Sequence, residues 1–384
     1  MMKQFLYIGF IAILLGSCKQ NRDQTLVETP ETKSDISFDY ATGLTVQNTE
    51  TGIYVTVKKP WPDATKDYTY KLITASSQKR ELIPEPDAGT IIQVPVKRII
   101  ATSTTHLAPL DLLGVEKSLV GFPETDYISN STIRNLIETG NIQDVGINER
   151  LDVESVILTQ PDVVIGYGVE GENPTYNNIQ KAGIPVLFSG AWVEKHPLGR
   201  AEWIKLYGLL FGKQKQADSI FNKIKNDYLQ AKELVIDLPK PTVIAGATWK
   251  DVWYLPYGDS WQGLILADAG CNYIYENTSG KGSLAYNIEQ VLKDAQKADY
   301  WIAPGSYTTY SNMLADNQAY GQFKAFQQKK LYTFALKRGS TGGFIYYEEA
   351  SMRPDLVLKD IIYLTHDRDL LKDYQPYFFS TLLP

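Results

Sequence analysis

The sequence predicts an α/β protein: two α/β lobes with mainly parallel sheets, joined by one long backbone helix and preceded by a small antiparallel β appendage. Three observations predict it. From Val96 to the C-terminus, short apolar strand-like runs alternate with amphipathic helix-length runs, the grammar of a parallel sheet with helices on both faces. That grammar pauses once, from about Leu198 to Val235, where apolar residues recur at helical spacing. One device also occurs twice, in "VESVILTQPDVVIGYG" from Val153 and "IEQVLKDAQKADYWIAPG" from Ile288. Each copy is a short amphipathic helix, a polar break and a buried strand. Each places a glutamate, Glu154 or Glu289, in the first helical turn, where the helix dipole favours a carboxylate at the surface.

The elements follow in order. Lys3 and the apolar run Phe5 to Leu15 have the length of a signal h-region and are too short to span a bilayer. "LLGSC" then places Cys18 where bacterial lipoproteins carry a diacylglyceryl group, so residues 1–17 are read as a lipoprotein signal peptide. Residues 18–35 are polar without apolar periodicity, a flexible tether. Residues 36–92 alternate as strands in "GIYVTVKKPW" and "YTYKLITA", separated by the turn-rich "PDATKD". The N-terminal lobe covers 93–196, with strands "VKRIIATS", "SLVGF", "DVVIGY" and "PVLFS" and helices "THLAPLDLLGV", "DVESVILTQ" and "TYNNIQKAG". A connecting helix is expected over 197–236, with Gly208 and Gly212 as points of weakness. The C-terminal lobe, 237–384, restarts with "PTVIAGATW" and closes on "RPDLVLKDIIYLTH", whose Pro354 suits a first helical turn.

Composition narrows the function classes. A formal charge of −6 leaves no basic footprint, so nucleic acid is not an expected partner. Cys271 has no cysteine partner once Cys18 is lipidated, so disulfides do not hold the fold, and it is expected buried at a helix end. The three lone histidines do not match the pattern of several histidines and a carboxylate that encloses a bare Zn²⁺ or Mn²⁺, and nothing calls for a cofactor. Twenty-five tyrosines and seven tryptophans suggest large flat contact surfaces.

At this point the chain resembles a known family, the helical-backbone (class III) substrate-binding proteins of ABC importers for iron–siderophores, haem and vitamin B12. The resemblance runs from about Val96 to the C-terminus. It is carried by the order of "VKRIIATS", "LDLLGVEKSLVG", "DVESVILTQPDVVIG", "AGIPVLF", "YGDSWQGLILADAG", "IEQVLKDAQKADYWI" and "RPDLVLKDI". It implies a periplasmic or envelope protein held to a bacterial membrane by its N-terminal lipid. Its partners would be an ABC permease with its ATPase, and its ligand a small metal chelate. In the family one glutamate per lobe meets arginines on the permease; the matching positions are Glu154 and Glu289. The β appendage lies outside the common family core and inherits no role from it.

In such a fold the ligand sits between the lobes, against loops leaving the C-terminal ends of strands. Those loops are rich in aromatic residues, whose faces suit a bulky or flat ligand. Tyr167, Trp249, Tyr254, Trp261 and Tyr346 match positions near strand ends where the family touches its ligand. Arg338, opening the glycine-rich "RGSTGG", would face carboxylate, catecholate or phosphate groups. His106, His196 and His366 stay open; His106, after the first strand, could ligate haem iron or cobalt.

A ferric siderophore is the leading cargo, with vitamin B12 and haem as alternatives. A surface glycan-binding lipoprotein is the alternative of another class, since rows of tyrosine and tryptophan also stack on sugars. An enzyme is disfavoured: glutamates at helix starts outside the cleft cannot flank one scissile bond, and no nucleophile elbow appears.

Overall fold

The computed structural model describes residues 36–74, 89–148, 150–169, 171 and 173–384. The signal segment, Cys18 and the tether lie outside the described residues. Among those described, no helix is long and apolar enough to cross a membrane.

The appendage is a four-stranded sheet. β1 (Leu44–Thr49) and β2 (Gly52–Val57) pair antiparallel, as do β2 and β3 (Tyr68–Thr74). β4 (Thr90–Val94) instead runs parallel to β3. The expected antiparallel appendage is thus mixed, because a long connection separates β3 from β4 and a parallel return needs one. Val55, Val57, Tyr70, Leu72 and Ile92 are buried beneath it.

Two buried carboxylates fix the chain just before β1. Glu202, fully buried, accepts backbone hydrogen bonds from Asp39 (2.9 Å), Tyr40 (2.8 Å) and Ala41 (2.8 Å), and pairs with Lys205 at 2.7 Å. Glu194 accepts from the Thr42 and Gly43 amides and from the Trp203 indole. A buried carboxylate is tolerated only with such a full set of donors. The appendage is therefore hooked onto the segment that joins the lobes.

The N-terminal lobe contains β5 (Ile99–Ala101), β6 (Leu119–Phe122), β7 (Gln143–Asp144), the hairpin β8 (Gly146–Ile147) and β9 (Arg150–Leu151), β10 (Val163–Gly166) and β11 (Val186–Phe188). Five of these form a parallel sheet in the order β11-β10-β5-β6-β7. β5, β6, β10 and β11 are buried throughout, which is why they read as unbroken apolar runs.

The C-terminal lobe adds β12 (Thr242–Ala245), β13 (Ala247–Trp249), β14 (Val252–Pro256), β15 (Asn272–Tyr273), β16 (Ser283–Tyr286), β17 (Tyr300–Ile302), β18 (Leu331–Thr333) and β19 (Ser380–Thr381). Its main sheet has the order β15-β12-β17-β18-β19, parallel except at the β19 edge. β13, β14 and β16 form a separate antiparallel sheet. Both lobes and the appendage belong to one unit, Asp35–Pro384.

The segment between the lobes is three helices in series: Pro197–Glu202, Ile204–Phe211 and Gln214–Glu233. Gly212 ends the second at φ +66°, a left-handed conformation that glycine adopts without strain. The single helix expected over 197–236 is therefore broken twice, and its longest piece, Gln214–Glu233, has 20 residues. Cys271 is buried just past helix Trp261–Asp268, and burial pushes its thiol up to about 12.

Candidate functional site

The ends of the C-lobe strands build the site. β12 stops at Ala245, and Gly246 follows at φ +75°, where a Cβ would lie 2.1 Å from the Tyr254 carbonyl oxygen. Only glycine lets the chain turn there and run directly into the β13–β14 hairpin. That hairpin carries Trp249 and Tyr254, 62% and 42% exposed, with ring centroids 6.5 Å apart. Ser260 caps the following helix by accepting from the Gly263 amide, which puts Trp261 at its first position. β17 ends at Ile302 and the chain continues to Tyr307, while helix Ile345–Glu349 supplies Tyr346 and Tyr347. These residues surround a cavity of about 390 Å³. Tyr346 stacks on Phe334 at 4.6 Å and lies 6.4 Å from Trp261, so the floor is a rigid aromatic layer.

Beside it lies a second space of about 510 Å³ that shares Pro256, Trp261, Gln262 and Ser283 with the first. Its other walls come from the N-lobe and the appendage: Trp192, Lys195, Arg200, Lys59 and Trp61, with Lys281 from the C-lobe. The two spaces form one cleft. Arg200 is its central cation. The guanidinium lies 4.6 Å from the Trp261 ring, donates to the Glu194 carbonyl at 3.0 Å and to the Trp192 carbonyl, and burial holds it down to about 9. It stays charged at neutral pH; among the described residues its hydrogen bonds go to carbonyl oxygens, while the nearby Glu194 carboxylate offsets part of its charge through space. Lys195 pairs with Asp259 across the cleft, which lowers the Asp259 carboxyl below its usual range. Lys281 pairs with Asp63 at 3.0 Å. The arrangement suits an anionic ligand with flat aromatic surfaces.

Of the residues expected from sequence, Trp249, Tyr254, Trp261 and Tyr346 line this cleft. Tyr167 stands at the end of β10, 6.3 Å from the His106 ring, and is not among the lining residues. Arg338 donates to the Ala335 carbonyl and lies over the Phe344 ring at 4.3 Å, also away from the cleft lining. Its glycine-rich loop makes a contact between lobes: a Cβ at Gly339 would lie 2.5 Å from Ser129 Cα, and one at Gly343 2.1 Å from the Tyr127 carbonyl oxygen. The glycines allow backbone to meet backbone. Arg200, Lys59, Trp61, Lys195 and Lys281 were not expected. Arg200 reads in "HPLGRAEW" as an ordinary helix arginine, and Lys59 and Trp61 lie in an appendage that inherits no role.

His106 is buried behind the cleft, and burial pushes it down to about 3, so it is neutral at physiological pH. His196 caps helix Pro197–Glu202 by accepting from the Leu198 amide, and His366 bonds the Ala269 carbonyl at 2.8 Å. Among the described residues, no group of three or more His, Cys, Asp or Glu could hold a metal ion. Glu154 and Glu289 are exposed in the first turns of helices Val153–Leu158 and Ile288–Ala295, capped by Asp152 and Asn287, with Val156 and Val291 buried two residues on. Neither glutamate lines the cleft.

A further carboxylate spans the lobes. Glu348 accepts from the Ser129 amide (2.7 Å), the Ser129 hydroxyl (2.7 Å) and the Asn130 amide (3.1 Å). Burial pushes it up to about 7. Folded Glu348 thus holds its proton more tightly than the unfolded chain does. The associated stability is fully present below the unfolded pKa and is lost as pH rises through about 7. Buried His106 opposes this below about pH 6.5, where unfolding lets it take up a proton, so the thermal midpoint is expected to fall from about pH 6.5 to about pH 8, and less steeply in Glu348→Gln. Glu349 and Asp360, also raised by burial, carry the remainder. Equal slopes in both proteins would contradict this assignment.

A periplasmic binding protein family matches residues 99–335. An uncharacterized lipoprotein of Methanocaldococcus jannaschii is 25% identical over 301 residues, covering 76% of this chain and 70% of its own. A periplasmic heme binding protein from Pseudomonas aeruginosa superposes with a TM-score of 0.56 at 17% identity, covering 75% of this chain and 99% of that one. The triscatecholate siderophore binding protein FeuA from Bacillus subtilis, complexed with ferri-bacillibactin, superposes at 0.53 and 16% identity, covering 73% and 97%. At these identities the solved structures establish the fold. The family match spans more than half of the sequence, and the chain belongs to the periplasmic binding protein family, with the two-lobed class III fold of substrate-binding proteins.

Proposed function

We propose that this protein is the lipid-anchored substrate-binding component of an ABC importer, and that it captures a ferric siderophore between its lobes. The observation that carries the cargo is the cleft lining: Lys59, Lys195, Arg200 and Lys281 beside Trp61, Trp192 and Trp261, opening onto a tyrosine-rich cavity. A ferric chelate with aromatic arms is bulky, flat in parts and anionic, and it needs no metal ligand from the protein. Haem and vitamin B12 remain the alternative cargoes. A neutral glycan would stack on the same rings but has no use for Arg200 and Lys59, the lining cations that lack an ion-pair partner among the described residues. Binding is capture and release, with no bond made or broken. Cys18 would carry the lipid that holds the protein at a bacterial membrane. Glu154 and Glu289, one on each lobe, would meet basic residues of a permease, whose ATPase drives transport. The helical connection favours a modest closure over a wide swing.

The reading is tested by tryptophan-fluorescence titration of the soluble form, beginning after Cys18, with ferric siderophores, haemin and cyanocobalamin. Saturable quenching by a ferric siderophore at micromolar concentration or below is expected. Saturation by haemin or cyanocobalamin alone would transfer the cargo assignment, and no saturation by any of the three would contradict the importer role.

A further inference from the structure

We propose that the four-stranded appendage is a third wall of the ligand cleft, fixed to the N-lobe and latched to the C-lobe at Lys281, and that its Lys59 helps select an anionic aromatic cargo. The appendage lies outside residues 99–335, the part that the family shares. It is nevertheless built into the site. The loop between β2 and β3 carries Lys59, Trp61 and Pro62 into the cleft lining, opposite Trp261 and Lys281.

Its attachment is unequal on the two sides. Toward the N-lobe it is packed. Trp61 is buried against Tyr68 and Phe188, at 5.5 Å from each ring, and lies over Gly168 so closely that a Cβ there would be 2.7 Å from the indole. The Tyr70 hydroxyl accepts from the Phe188 amide at 2.8 Å. Glu194 and Glu202 hold residues 39–43 from below. Toward the C-lobe there is a polar contact at the surface: Lys281 donates to the Pro62 carbonyl at 2.6 Å and pairs with Asp63 at 3.0 Å. Both side chains are largely exposed, and exposed pairs of this kind form and break easily. A packed face on one side and a weak one on the other is the arrangement of a wall that travels with one lobe and meets the other on closure.

The latch also continues around the cleft. Asp259 accepts from the Gly280 amide at 3.3 Å and pairs with Lys195, so the loop that carries Lys281 is tied to the N-lobe cation. Lys195, Asp259, Gly280, Lys281 and Asp63 form a continuous polar rim. Inside it, Lys59 has no ion-pair partner among the described residues, and its charge is available to a ligand. This inference rests on the cargo reading above for the ligand class, while the latch itself does not.

The test has two arms on the soluble chain beginning after Cys18. In the first, Asp63→Cys with Lys281→Cys is treated with a short bismaleimide. Cys271 is buried with its thiol pushed up to about 12, so only the introduced thiols react. Rapid intramolecular cross-linking is expected, with none in either single variant; its absence overturns the latch whatever the cargo. In the second, a ferric tris-catecholate trianion is titrated against the unmodified chain and Lys59→Glu. The backbone at Lys59 is already at φ +40°, a conformation as strained for glutamate as for lysine, so the change adds no backbone strain, and circular dichroism verifies the fold. At least tenfold weaker binding is expected. Unchanged affinity overturns the role of Lys59. Binding of cyanocobalamin without the trianion overturns the anionic selection and leaves the importer reading standing. Failure of every cargo overturns that reading, and the cross-link still decides the wall.

Discussion

Replacing Trp261 by alanine is expected to weaken cargo binding by about tenfold to a hundredfold, and replacing Arg200 by alanine by at least as much. Trp261 is the aromatic residue that both halves of the cleft share, and its ring faces the Arg200 guanidinium at 4.6 Å. Loss of a buried aromatic anchor commonly costs about 2 kcal/mol or more, and about 1.4 kcal/mol is tenfold in affinity. Arg200 adds the cleft's most enclosed positive charge. Arg200→Lys keeps the charge but loses the planar fork and the stacking, so its affinity should fall between wild type and Arg200→Ala. Trp249→Ala is the companion variant: at 62% exposure its removal should leave stability unchanged while weakening binding several-fold. Equilibrium titration, with circular dichroism to verify folding, reads all four. Affinities unchanged in Trp261→Ala and Arg200→Ala would place the cargo elsewhere.

The second large effect is on delivery. The double variant Glu154→Arg, Glu289→Arg is expected to reduce cargo uptake by whole cells to background while leaving affinity within about twofold. Both side chains are exposed and outside the cleft, and their helices keep the caps provided by Asp152 and Asn287. The change costs each helix only about 0.3–1 kcal/mol of dipole interaction. What it reverses is the charge that each lobe would present to a permease. Uptake that persists, or affinity that collapses along with uptake, would contradict the docking assignment.

The α/β grammar was legible because buried parallel strands must be apolar on both faces. "DVVIG" and "PVLF" could be little else, and Val163–Gly166 and Val186–Phe188 are buried throughout. Pro354 at the start of helix Pro354–Thr365 also read directly. Helical periodicity passes through a break without changing, so of the two breaks in the connecting helix only the one at Gly212 carried a sequence signal; Gly208 lies within helix Ile204–Phe211 and the break at Trp203 has no glycine. The parallel β4 was hidden because register and direction depend on the connection rather than on the strand's own residues.

The site divided along similar lines. Aromatic residues near strand ends are conspicuous, and Trp249, Tyr254, Trp261 and Tyr346 could be picked out for that reason. Arg200 and Lys59 could not. A helix arginine and a turn lysine usually point to solvent, and only the approach of distant elements turns them into a cationic lining. Arg338 shows the converse. A glycine-rich loop after an arginine suggests anion binding, whereas Gly339 and Gly343 here let one lobe's backbone approach the other's.

The most direct measurement is a crystal structure of the soluble chain saturated with a ferric siderophore, with anomalous data collected at the iron edge. One iron peak inside the cleft is expected, with the chelate's aromatic arms against Trp261 and Tyr254 and its anionic groups toward Arg200, Lys195 and Lys59. An iron site outside that cleft, or a cleft left empty at saturating chelate, would contradict the proposed function.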